Sequence, residues 1–143
     1  PIVSIGLINA VQQVVNNVMS SSEEVIVSSP SYVAVELQIV LEFQGGVLIS
    51  DKDAICKQAT SNVIDYINNL EVGKELVINE VNQRVLETSP KIYDLKISKM
   101  GIGEYNPNTG LIDYYREVLP VNQPIDELSK FVSNSKLVNV CYE

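Results

Sequence analysis

From Tyr32 to Phe43 the chain alternates with a period of two. Val33, Val35, Leu37, Ile39, Leu41 and Phe43 fall on one side, and Tyr32, Ala34, Glu36, Gln38 and Glu42 fall mostly as the polar set on the other. Successive side chains of a strand point to opposite faces, so this run specifies one long strand with a core face and a solvent face. An apolar sheet face must be covered by another layer, which makes the rest of the chain a search for that cover.

Helical periodicity supplies it. Ile8, Val11, Val15 and Val18, widened by Leu7 and Val14, predict an amphipathic helix ending at Ser20, Ser21 and Ser22. A short β-rich run at Val25 to Val27 is then interrupted by Ser28, Ser29 and Pro30, which predicts a bend or bulge before the long strand. After Gly45 and Gly46, Ser50 and Asp53 have the spacing of a capping box, and the helix that follows places Ile55, Ala59, Val63, Tyr66, Ile67 and Leu70 on one side. It should stop near Gly73, which is suited to the left-handed conformation that ends a helix. Asn79 reads as the N-cap of a shorter helix carrying Val81, Val85 and Leu86 and ending before Pro90.

Ile92, Leu95 and Ile97 restart a strand. Asn106, Pro107, Asn108, Thr109 and Gly110 predict a hairpin turn into a strand with Ile112, Tyr114 and Val118. Pro124 suits the first turn of a short helix through Ile125, Leu128 and Phe131, and Leu137, Val138, Val140 and Tyr142 read as a last strand. The expected fold is α+β: a mainly antiparallel sheet with helices packed on one face, a ferredoxin-like core and a C-terminal β-hairpin extension. A parallel Rossmann-type sheet would need regular strand and helix alternation, which the hairpin breaks. With 143 residues, one domain spanning 1–143 is expected.

The residue inventory narrows the chemistry. A net charge of −8 argues against nucleic acid or an anionic membrane surface as partner, because both require a basic face. The apolar runs are broken by charge too often to span a membrane. There is no histidine, so the commonest general base, every histidine triad and the commonest metal ligand are missing. Cys56 and Cys141 read as two buried free thiols. Asp51 and Asp53 imitate a carboxylate pair for a metal-bound nucleotide sugar, but acidic residues are expected in a first helical turn. Gly101 and Gly103 lack the third glycine and the helix of a phosphate loop, and read as a strand bulge or flexible stem. Glu23 and Glu24 read as a solvated turn. No catalytic residue, metal or cofactor is expected, and the chain is read as non-enzymatic.

Tyr105, Tyr114 and Tyr115, near the hairpin, are the candidate partner interface, since tyrosine buries a large area at low entropic cost and keeps a polar handle. The competing reading packs one tyrosine inward and leaves the others merely exposed.

Two stretches carry a family resemblance: SSPSYVAVELQIVLEF, in which Pro30, Tyr32 and Val33 lead into the long strand, and VIDYINNLEVGKELVINEVNQRVLETSPKIYDLKI. Together they resemble the C-terminal part of the baseplate J-like family of contractile phage tails and related injection systems. That family's helix ending in tyrosine, leucine and glycine matches Tyr66, Leu70 and Gly73. Its extended apolar segment matches Leu76 and Ile78, its capped short helix Asn79 and Val81, and its aspartate-bearing strand Asp94 and Leu95. The resemblance covers about residues 7–98. Lys91 and Ile92 stand where members usually have glycine and valine, and Asn79 where serine is commoner. The resemblance implies a baseplate J-like core over 1–98, with the hairpin, short helix and final strand of 99–143 added to it. It also implies a structural role by protein–protein assembly in the virion tail baseplate, put together in the host or bacterial cytoplasm. The partners would be other baseplate or tail proteins in a homo- or hetero-oligomer. The alternative is a small-molecule sensing or regulatory α+β domain that dimerises.

Overall fold

The computed structural model describes residues 31–143. The expected N-terminal helix, the Val25 to Val27 run, Glu23, Glu24 and Pro30 lie outside them. Residues from Tyr32 to Glu143 form one compact unit.

The alternating run is strand β1, Ser31–Phe43, and its apolar side is the floor of the core: Val35, Leu37, Ile39 and Leu41 are at most 1% exposed. Its neighbour β2, Ile92–Asn106, runs antiparallel to it from Val33 opposite Glu104 to Phe43 opposite Ile92. The register slips at Gln38/Ile39 and again at Glu42/Phe43, where β2 carries an extra residue, Ser98 and Tyr93 respectively. Ser98 turns its extra position to use by donating its hydroxyl to the Gln38 carbonyl at 3.2 Å. β3, Leu111–Val118, completes an antiparallel hairpin with β2. On the other side of β1 lie β4, Ser129–Val132, and β5, Val138–Tyr142, with β5 parallel to β1 along Leu37 to Leu41. The sheet is therefore mixed, and the class is α+β.

Two helices cover the apolar face. In α1, Ile49–Asn68, the buried residues Cys56, Ala59, Val63 and Ile67 recur at helical spacing; in α2, Ile78–Leu86, Ile78, Val81 and Val85 do so. They share one cluster with the β1 floor, Met100 and Ile102 of β2, Phe131 of β4, and Val138 and Val140 of β5. β2 runs unbroken through residue 98, and five of these core side chains, Met100, Ile102, Phe131, Val138 and Val140, come from beyond that residue.

Helix ends depart most from expectation. Ser50 and Asp53 form no capping box: α1 begins earlier, its N-cap position is Leu48 without a side-chain cap, and the Asp53 carboxylate instead accepts from the Tyr142 hydroxyl at 3.0 Å. Asn79 is not a cap either, because α2 starts one residue before it and its N-cap position is Val77. The free N–H groups there are taken from a distance. Asn122 Oδ1 accepts from Ile78 N–H at 2.8 Å and the Tyr66 hydroxyl accepts from Val77 N–H at 3.2 Å, which satisfies groups the helix itself cannot pair. At the other end of α1, whose last turn has no basic residue of its own, Lys130 Nζ of β4 donates to the Asn68 carbonyl at 2.7 Å. A cation at a helix C-terminus is favoured by the helix dipole. Burial there pushes the Lys130 ammonium below its ordinary pKa.

Gly73 is left-handed as expected, with φ of 79°, but it lies beyond the helix end at Asn69. Its N–H donates to the Ser129 carbonyl at 2.8 Å, and a Cβ there would sit 3.2 Å from the Glu127 carbonyl oxygen. Glycine is required by both conformation and contact. The helix expected after Pro124 does not form. Leu128 is 73% exposed, whereas Ser129, Phe131 and Ser133 are buried at strand spacing. The segment is extended: Leu76 and Gln123 exchange backbone hydrogen bonds of 2.9 and 3.0 Å, and Ser133 donates its hydroxyl to the Val35 carbonyl at 2.6 Å. Pairing with β1 outweighs a weak helical pattern three apolar residues long.

Replacing Asn122 with alanine should cost about 1 kcal/mol, the worth of a helix cap, while Asn79→Ala should stay within about 0.5 kcal/mol. Urea unfolding of the two variants checks the difference.

Candidate partner interface

The hairpin turn forms as its composition requires. Asn106 Oδ1 accepts from Asn108 N–H, the Asn106 carbonyl from Gly110 N–H, and Gly110 is left-handed at φ 71°. The tip is pinned: Asn134 Nδ2 donates to the Gly110 carbonyl at 2.8 Å and Lys136 Nζ to the Thr109 carbonyl at 2.9 Å.

Below the turn, β3 carries an irregularity. Ile102 pairs with Arg116 and Glu104 with Asp113, so Tyr114 and Tyr115 together face the single residue Gly103. Of the expected bulge or flexible stem, a bulge forms at Gly103 alone, with its extra residue on β3, while Gly101 pairs regularly with Glu117. Tyr114 takes φ of 55°, left-handed backbone that L-residues other than glycine adopt at a cost. The bulge sets the two tyrosines apart. Tyr114 is 87% exposed. Tyr115 lies across Gly101, where any Cβ would overlap its ring, and its hydroxyl donates to Glu36 Oε1 at 3.3 Å. Lys99 Nζ stands 5.4 Å from the ring centroid and 3.7 Å from the same carboxylate oxygen. Burial and the charge of Glu36 push the Tyr115 phenol above its ordinary pKa. Tyr105, half-buried, pairs with Ile112 near the turn. The three tyrosines thus share a hairpin without forming an aromatic cluster.

The other residues singled out by sequence do folding work. Tyr32 opens β1 and is half-buried. Tyr66 presents its ring to Arg84, 5.7 Å away, besides holding Val77, and Leu70 packs against the core. Asp94 stands opposite Glu42 on the solvent side and accepts from Leu95 N–H at 2.8 Å. Asp51 pairs with Lys91 at 3.1 Å. With Asp53 bound to Tyr142, each of these two carboxylates has its own protein partner.

Of the thiols, Cys56 is buried but Cys141 is exposed, which corrects the expectation of two buried cysteines. Cys141 falls on the solvent-facing alternate of β5. Burial, then the neighbouring Cys141 and Asp53, push the Cys56 thiol up to about 11. Among the described residues no group of three or more histidine, cysteine, aspartate or glutamate side chains could hold a metal ion. No helix of the described residues is long and apolar enough to cross a membrane. A groove between α1 and α2 is lined by Asn62, Asp65, Tyr66, Arg84 and Glu87, a mixed-charge site that pattern reading did not single out. Its members come from two helices and the residue that follows the second, too far apart in sequence to form a local motif.

No protein-family model matches this chain, and no curated protein matches it.

Tyr114→Gly should stabilise the chain by about 1 kcal/mol by relieving the left-handed backbone, whereas Tyr115→Ser should destabilise it by about 1–2 kcal/mol through the lost packing on Gly101. Thermal and urea unfolding distinguish the two signs. For the thiols, mildly alkaline labelling of the folded chain should modify Cys141 and spare Cys56. The Cys56 labelling rate should keep climbing until the pH approaches about 11. Mass spectrometry of the labelled peptides reads both.

Proposed function

We propose that this chain is a non-enzymatic structural domain of the baseplate J-like kind, acting by protein–protein assembly in a contractile tail or related injection system. The observation that carries the reading is the order of elements from Tyr32 to Leu95, within the compact unit Tyr32–Glu143. There the long strand, the helix pair and the returning strand follow one another in the order of the family's C-terminal part, and Tyr66, Leu70 and Gly73 all serve packing or helix ends. As the finer part of this reading the core is ferredoxin-like. The parallel β1–β5 pair beneath two helices favours it, and the hairpin inserted between them in the chain departs from it.

On this reading the chain works in the virion baseplate, and its partners are other tail proteins or further copies of itself. Repeated contacts in a symmetric assembly make weak individual interfaces adequate. Tyr114, with its exposed ring, and Tyr105 and Tyr115 beside it form the partner-facing part of the hairpin. The sensing alternative is favoured by one observation, the mixed-charge groove between α1 and α2, where Arg84 and Asp65 could hold a small zwitterion.

Co-expression with the products of neighbouring genes decides between them. A stable complex with tail proteins is expected, together with its loss in the Tyr114→Ser, Tyr115→Ser double variant. Unchanged assembly of that variant sinks the tyrosine interface. Failure to co-assemble at all, with a melting rise on adding small amino acids, replaces the baseplate reading by the sensor.

A further inference from the structure

β3 lies at the end of the strand order, with β2 on one side and no strand of the described residues on the other. An open edge is a template for another strand. Its sequence is built around a centre: Tyr114 and Tyr115 in the middle, Asp113 immediately before them and Arg116 immediately after. Asp113 and Arg116 are both exposed, and neither has an ion pair among the described residues. They also sit on the same face of the sheet, because their partners Glu104 and Ile102 on β2 are two residues apart.

We propose that β3 is a self-association edge whose occupant is the β3 strand of a second copy of this chain, antiparallel about a two-fold axis through the Tyr114–Tyr115 centre. The axis brings each Asp113 to the partner's Arg116, so one contact is made twice, as an isologous interface requires. Opposite charges facing across antiparallel strands stabilise the pair, and like charges destabilise it. Leu111 and Tyr114, 47% and 87% exposed, gain cover in the same contact. The bulge keeps the ladder short, so the two ion pairs and the tyrosines fix the register and the association is weak and reversible. This surface does not depend on the baseplate reading: a sensor domain would use the same edge.

The full chain should show a sedimentation coefficient that rises with concentration towards the dimer value. Asp113→Arg and Arg116→Asp should each weaken self-association at least tenfold, because each sets like charges against one another. An equimolar mixture of the two variants should recover it, since each strand then meets its complement. The double variant Asp113→Arg, Arg116→Asp should associate with itself like the parent. Unchanged circular dichroism and melting would show that the variants fold. A parent that is monomeric at all concentrations, single variants that associate like the parent, or a mixture that fails to recover would each overturn the proposal.

Discussion

Everything described in this chain leans on β1. It is flanked by β2 on one side and by β4 and β5 on the other, and its apolar face lies beneath both helices, so it is the strand through which every other element meets the core. Its four large core-facing side chains, Val35, Leu37, Ile39 and Leu41, are almost wholly withdrawn from water, each worth about 1.5–3 kcal/mol in transfer terms. Because the side-chain period is two, a one-residue slip of this strand would put Glu36 and Gln38 into the core and Leu37 and Ile39 into water. The sheet has little freedom to choose another register, and the two irregularities of the β1–β2 pairing are both absorbed by β2, at Ser98 and Tyr93, not by β1.

That asymmetry explains which parts of the fold were readable. β1, α1, α2, the hairpin and β5 are each announced by their own residues: strict alternation, helical spacing, and a turn sequence whose asparagine and glycine have mechanical roles. The helix ends were misread because their chemistry is not local. Asn79 has the right side chain in the right neighbourhood, yet Asn122 does the work from 44 residues away, and no spacing rule spans that separation. Ser50 fails for a related reason, since its expected partner Asp53 is engaged by Tyr142 at the far end of the chain. The Pro124 segment failed by competition: its three apolar residues fit a helix, but Phe131 is worth more in the core beside β1.

At the candidate interface, the hairpin itself was legible from its turn sequence, but the different settings of its tyrosines were not. Adjacent residues on a regular strand face opposite ways, which makes Tyr114 and Tyr115 look equivalent apart from side. The bulge against Gly103 removes that equivalence, leaving one ring in solvent and one laid over Gly101 between Glu36 and Lys99. Gly101 and Gly103 read as a strand bulge or a flexible stem, but that the bulge lies on β3 opposite Gly103, and that Gly101 makes room for an aromatic ring, requires knowing which strand lies beside them.

Asn122 at the start of α2 and Lys130 at the end of α1 have a temporal meaning as well as an energetic one. A ribosome delivers both helices before it delivers the residues that finish them. Until the segment around residues 122–133 has emerged, the Ile78 N–H and the Asn68 carbonyl have only water in place of Asn122 and Lys130, and the helices lack Phe131 beneath them. The nascent chain can collapse around β1 early, but its helices become complete only when the last third has been made and has threaded back alongside that strand.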